Sequence, residues 1–422
     1  MSGKASDYIP GLGRQFTISP EEIDIKGLSE SLGVERAVID SLSPTFTISR
    51  NKWYQGVLNT PDVDTTFRTK HEALCDCHSL QLVYGNFYQD DDPTRLSNLD
   101  TYTIKCVIEV VKSGQTRFID VTFKGDMRAS IQPGAQVTSD PVGLEFSKGD
   151  TFYVRAHVTT ASAGKFPHAI VGFLENGEGK MAGDQTKAAS FSAQTLATLS
   201  PMAIYATPTE RFRTVALVGD SISLGAGNAN GNNDGHPFQG EFGFMQLAAM
   251  RAGMGYVTLG MNGQATNGFQ PHTRHRRMVL ASSCDIAVVN YGTNDMTASR
   301  TLEEIKANLM DAWKALKMRG LKVYQTTITP RTNEASKWPT EGQVPVNDRT
   351  AGGPTTVRSL LNDWIRTVPS PHLDGYVEVA DAVETARNSG LWKAGMTTDG
   401  IHPNEQGHKA LTIVLTDVLN SI

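Results

Sequence analysis

The chain of 422 residues exceeds what one hydrophobic core usually supports, so its length implies roughly two or three domains, and the changes of pattern along it imply two. With 39% hydrophobic and 20% charged residues, and 39 basic against 44 acidic side chains for a formal net charge of −5, nothing recommends nucleic acid as a partner. The longest apolar stretches are strand-sized, short of the ~20 residues of a membrane helix, so no membrane partner is expected.

In chain order, residues 1–43 read as an N-terminal arm. Its beginning, "MSGKASDYIPGLGRQFTISPEEIDI", has no apolar signal-peptide core; the expected location is cytoplasmic, virion-associated, or exported with a leader removed. A short helix is expected near "SPEEIDIKGLSESLG", where Ser19 caps a first turn bearing Glu21 and Glu22.

Residues 44–208 show period-two alternation of β-branched and aromatic residues, as in "TYTIKCVIEVV", "TRFIDVTFKG", "GLEFSKGDTFYVRAHVTT" and "HAIVGFLENG". Interrupted by Gly, Pro and Asp and lacking a long amphipathic helix, this stretch predicts antiparallel strands in an all-β sandwich or jelly roll. Cys75, Cys77, Cys106 and Cys284 are too few and too irregular for a disulfide framework. "CDCH" at Cys75–His78, with His71 nearby, offers soft metal ligands, but a zinc site normally shows a second pair and none exists; Ala73, Cys75, Cys77, Leu80 and Leu82 read instead as a half-buried strand, and no metal is expected.

From 209 to 422 strand-like runs alternate with helical periodicity: "TVALVG", "YVTLG", "DIAVVNYG", "KVYQTTITP" and "GYVEVAD" are the strands. Between the third and fourth, Thr301 and Glu304 form a capping box, Leu302, Ile305, Leu309, Trp313 and Leu316 share one face, and Gly320 stops the helix. Such repeats build a parallel sheet covered on both sides, whose ligands bind beyond the carboxyl ends of the strands. Gly219-Asp220-Ser221 stands at such an end.

A serine becomes nucleophilic only when a base takes its proton, and that base needs an orienting carboxylate. "TTDGIHPNEQGHKAL" supplies both. Within one tight turn Asp399 accepts the Nδ1 proton of His402, leaving Nε2 to face Ser221. "VVNYGTNDM" delivers Asn294, whose amide can donate to a developing oxyanion, and "TLGMNGQATNG" offers Gly263, preferred to Gly260, as a backbone donor.

Taken together, "GDS", "MNGQAT", "GTND" and "DGIHP" resemble the four blocks of the SGNH (GDSL) hydrolase family over residues 213–422. The resemblance implies a three-layer α/β domain with a flavodoxin-like parallel sheet, and acyl transfer with Ser221 as nucleophile, His402 as base and Asp399 as its orienting acid. It implies an oxyanion hole of the Ser221 and Gly263 N–H groups and the Asn294 amide, and no metal or organic cofactor. The order of a β domain before an α/β domain is similar to that of several carbohydrate esterases, and the polar, Asn- and Gly-rich rim favours a small acyl group on a hydrophilic carrier. The expected activity is therefore O-acetyl removal from a carbohydrate. The alternatives are a general short-chain esterase or lysophospholipase, and a glycan-binding adhesion or virion tail component. Two long loops, 225–243 and 331–353, are expected beside the site, the second offering Trp338 for stacking on a sugar.

Overall fold

The computed structural model describes residues 43–60, 64–88, 99–161, 164–168, 170–171, 177–192, 197–228, 243–298, 300–333 and 343–422. The helix expected near Ser19, Trp338 and most of the 225–243 loop lie outside the described residues.

The front half is antiparallel. Its strands are β1 (Gly56–Thr60), β2 (Asp64–Glu72), β3 (Cys77–Gly85), β4 (Tyr102–Lys112), β5 (Gln115–Val121), β6 (Ala129–Ile131), β7 (Gln136–Thr138), β8 (Val142–Phe146), β9 (Thr151–Thr160), β10 (Gly164–His168), β11 (Ile170–Val171), β12 (Gly179–Ala182), β13 (Ala197–Thr198) and β14 (Ala203–Pro208). One sheet runs β12-β2-β9-β4-β5 with β6 on β4, and a second runs β14-β3-β7 with β8 on β3. Alternation explains how they pack: Ile104, Cys106 and Ile108 of β4 and Phe152, Val154 and Ala156 of β9 share one buried cluster with Leu80, Leu82 and Tyr84 of β3 and Leu144 and Phe146 of β8. The opposite face of the larger sheet carries charge instead. There Glu109 accepts from both Arg68 Nε and Arg155 Nε at 2.7 Å, which satisfies a carboxylate that is almost fully buried.

The expected strand through Ala73, Cys75 and Cys77 is only half present. Leu74 to Asp76 form a turn, β3 starts at Cys77, and the pairing with β8 shifts between His78 and Leu80. Ser79 takes up the extra residue with φ of 62°, so Cys77 and Leu80, three apart, both face the core. His71 is buried in that core, bonded to Thr69 Oγ1 and stacked on Phe152. Burial pushes its imidazole down to about 3. Among the described residues no group of three or more His, Cys, Asp and Glu side chains is arranged to hold a metal.

The second half is a parallel sheet in the order β16-β15-β17-β18-β19, built from β15 (Thr214–Gly219), β16 (Gly255–Thr258), β17 (Ile286–Asn290), β18 (Lys322–Thr326) and β19 (Gly375–Val377). Its strands are apolar on both faces because both are covered. Ala216, Val218, Ala287 and Val289 enter the same cluster as α2 (Pro271–Ala281), α3 (Leu302–Lys317) and α4 (Val357–Arg366). Val215, Leu217, Ile286 and Val288 pack with α1 (Phe244–Arg251), α5 (Ala380–Val383) and α6 (Glu405–Ser421) on the other side. The last strand is shorter than "GYVEVAD" suggests, because Ala380 and Asp381 open α5. In α3 the capping box forms, with Thr301 N–H donating to Glu304 Oε2 at 2.7 Å, and Ile305, Leu309, Trp313 and Leu316 are buried.

The halves meet along the edge of the parallel sheet. Thr258 N–H donates to Asn51 O, Trp53 N–H donates to Thr258 O at 2.8 Å, and Arg50 N–H donates to the Tyr256 hydroxyl. Residues 51–53 thus lie as a parallel partner along β16, bridged at Lys52 and Thr258. Among the described residues no helix is long and apolar enough to cross a membrane.

Candidate active site

Strand β15 is buried throughout and ends at Gly219, after which Asp220 and Ser221 open a tight turn. Ser223 Oγ donates to Asp220 O at 2.6 Å, and Ile222 N–H donates to Asp220 Oδ1 at 2.9 Å. These bonds leave the half-buried Ser221 on the rim of the sheet. Its Oγ lies 2.9 Å from His402 Nε2, and His402 Nδ1 lies 2.6 Å from Asp399 Oδ2.

The turn that carries the last two residues is braced from several sides. Asp399 Oδ1 accepts from the Ile401 and His402 N–H groups, and Gly400 O accepts from Trp392 Nε1 at 3.0 Å and from Thr332 N–H at 2.8 Å. Burial alone raises the Asp399 carboxyl, but the bonds from the His402 ring and from two backbone N–H groups outweigh it and hold the group well below the usual carboxylate range. Asp399 is therefore ionised whenever the imidazole is neutral, which places the imidazole proton on Nδ1 and a lone pair toward Ser221.

The glycine block follows β16. Met261 N–H donates to Gly219 O at 2.9 Å, and a turn then closes from Gln264 N–H to Met261 O. A Cβ on Gly260 would stand 2.2 Å from Ser223 Oγ, so that glycine permits close packing against the nucleophile turn. Gly263 has φ of +71°, a conformation that favours glycine, and open space where a Cβ would stand. Asn294, in a single 3-10 turn after β17, donates from Nδ2 to Gln264 O at 3.2 Å, and its second amide hydrogen remains for another acceptor. Asp295 ties the two blocks together, accepting from Thr266 N–H at 2.9 Å and Thr266 Oγ1 at 2.7 Å.

The structure thus brings Ser221, His402, Asp399, Gly263 and Asn294 to one end of the sheet, while Trp338 lies outside the described residues. It also places there groups that the sequence did not single out. Arg331 donates to Thr293 O and, at 3.4 Å, to Asn294 Oδ1, so it fixes which way the Asn294 amide points. Asp220 is buried, and that burial raises its carboxyl to about 7. His408 accepts from Phe244 N–H on Nδ1 and meets Ala226 O through Nε2, with burial pushing it down to about 4. It is a buried strut for the loop after Ser221. A cleft of about 840 Å³ at the amino-terminal ends of β15 and β17, lined by Arg211, Arg213 and Lys322, holds none of these groups.

Residues 217–410 match the model of the GDSL-like lipase/acylhydrolase family. No curated protein matches the chain. Similar solved structures include a GDSL-like lipase from Bacteroides thetaiotaomicron, 19% identical over 50% of this chain and 88% of that one, with a TM-score of 0.36. An acetylxylan esterase from Geobacillus stearothermophilus is 17% identical over 49% of this chain and 94% of that one, with a TM-score of 0.35. A carbohydrate esterase family 2 enzyme with its carbohydrate-binding domain, from Corynascus thermopiles (Myceliophthora fergusii), is 14% identical over 90% of this chain and 99% of that one, with a TM-score of 0.36.

Proposed function

From the match of residues 217–410 to the model of the GDSL-like lipase/acylhydrolase family, we propose that this chain is a serine esterase that removes short acyl groups, acetyl above all, from a carbohydrate. The observation that carries the chemistry is the continuous chain from Ser221 Oγ through His402 to Asp399, at 2.9 and 2.6 Å.

Ser221 Oγ attacks the ester carbonyl carbon while its proton passes to His402 Nε2. The carbonyl oxygen becomes an oxyanion, held by the Ser221 and Gly263 N–H groups and the Asn294 amide. The carbonyl re-forms as the alcohol leaves with the proton from His402, which leaves an acyl-serine. Water then attacks that acyl group, gives its proton to His402, and releases the carboxylic acid as Ser221 recovers the proton. Asp399 keeps the imidazole in the required tautomer throughout.

The substrate class is supported by the groups around Ser221. Asn262 and Gly263 are exposed, and Asp399 and Arg331 add charge, a rim suited to a hydroxyl-rich carrier and a small acyl group rather than to a long alkyl chain. In this reading residues 209–422 form the catalytic domain and 44–208 a β domain beside it.

Acetate release from a panel of acetylated polysaccharides, alongside p-nitrophenyl acetate and a longer-chain ester, tests the proposal. Turnover of acetylated glycan is expected. Preference for the long-chain ester would assign a general esterase or lysophospholipase, and turnover of none of them would overturn ester hydrolysis.

A further inference from the structure

We infer that Gln55, from the β half of the chain, is a positioning residue for ester hydrolysis: its side-chain amide holds the 260–263 loop, and so the Gly263 N–H, in place beside Ser221. The inference rests on the esterase reading above.

Its basis is the register along the outer edge of β16, the edge that residues 51–53 cover. Thr258 N–H donates to Asn51 O and Trp53 N–H donates to Thr258 O. A parallel ladder with that register would next join residue 55 to the Gly260 carbonyl through its N–H, and to the Asn262 N–H through its carbonyl. The backbone does not run on in that direction, because Gly56 begins β1 and pairs with His168 of β10. Gln55 supplies both bonds from its side chain instead. Nε2 donates to Gly260 O at 2.8 Å, and Oε1 accepts from Asn262 N–H at 3.2 Å. One planar amide therefore replaces one rung of the ladder. A third bond, from Nε2 to Trp53 O at 2.9 Å, orients it.

What the amide holds is a short loop with little freedom left. On its inner side Met261 N–H is tied to Gly219 O, and Gly260 packs against Ser223 of the nucleophile turn. Gly263 itself has no side chain and open space around it, so its N–H direction is set by the anchors on either side. Those anchors are Gln55 at Gly260 and Asn262, and Asn294 at Gln264. An oxyanion donor works only where it already points at the developing charge, and a shift of about 1 Å costs about a hundredfold in rate. Gln55 touches none of the reacting atoms on this account; it acts through the loop.

The test uses full-length Gln55→Glu, Gln55→Met and Ser221→Ala. Gln55→Glu keeps shape but turns a carboxylate oxygen toward the Gly260 carbonyl, and Gln55→Met keeps length without either bond. The kcat for p-nitrophenyl acetate, normalised to sites titrated to completion with a fluorophosphonate, should fall about tenfold to a hundredfold in both. KM should stay within about twofold, and the midpoint of the pH–rate profile should not move, because the base and its carboxylate are untouched. A merely structural role would lower the number of titratable sites and leave the rate per site unchanged. That result, or a rate per site within about twofold of the parent in Gln55→Met, overturns the inference, and Gln55→Met alone decides if Gln55→Glu does not fold. Both readings separate at Ser221→Ala: activity retained there refutes the Ser221 mechanism on which this inference rests, whereas an inactive Ser221→Ala beside unimpaired Gln55 variants refutes this inference alone.

Discussion

Asp399 holds His402 twice: one carboxylate oxygen takes the ring at Nδ1, at 2.6 Å, and the other takes the backbone N–H of the same residue at 2.7 Å. The side chain that sets the tautomer therefore also sets the turn on which the imidazole stands. Asp399→Asn should keep the fold yet lower kcat roughly 10⁴-fold, since an amide can present its NH₂ to Nδ1 and favour the wrong tautomer. Asp399→Ala should in addition lower the melting temperature through the turn. A kcat for Asp399→Asn within about tenfold of the parent would remove Asp399 from this role.

Ser221→Ala should abolish ester hydrolysis with an unchanged circular dichroism spectrum, because a rim hydroxyl is the only group lost. Peptide mapping after fluorophosphonate treatment should find the label on Ser221. A label on another serine would contradict the assignment.

Asp220 predicts a pH-dependent stability. An unfolded aspartate titrates near ~3.9, and burial raises Asp220 to about 7 in the fold. A carboxyl raised on folding contributes stability that is fully present below its unfolded value and is lost as the pH rises through its folded one. Asp220→Asn cannot titrate, so its melting temperature relative to the parent should climb between pH 4 and 7 and level off above. A difference that is flat or falling across that range would show that Asp220 is ionised throughout.

Arg331→Met should lower kcat about tenfold, the loss expected of one charge-assisted hydrogen bond, because the Asn294 amide loses the donor that fixes its direction. Measured kcat equal to the parent would place the control of Asn294 in its bond to Gln264 alone.

Thr301→Ala should cost ~1 kcal/mol by opening the cap of α3, read as a melting temperature lower by a few degrees with kcat unchanged. A loss of activity there would mean that α3 moves the site.

Much of this was legible because it is local in sequence. Val215 and Leu217 alternate with Ala216 and Val218, so the sheet's two covered faces appear as one continuous apolar run. Asp399 and His402 are three residues apart, and their geometry follows from a single turn. The groups that escaped notice work across the fold. Asp295 reaches Thr266, Arg331 reaches Asn294, and Gln55 reaches Gly260, and no periodicity or spacing encodes such a meeting. The Cys75 segment misled for a related reason: a bulge at Ser79 leaves no trace in the alternation until the pairing partner is known.

The strip of chain along β16 has a consequence for biosynthesis. Arg50 and the Tyr256 hydroxyl it meets are separated by 206 residues. At ribosomal rates of about 5–20 residues per second, the first waits roughly 10–40 s for the second to be made. During that interval Trp53 and Tyr54, both buried in the finished molecule, have only part of their eventual surroundings. Until the parallel sheet emerges, the segment 50–53 of the nascent β half lacks the β16 edge that it bonds in the finished molecule, and a chain ended shortly after residue 208 would carry that seam unfinished.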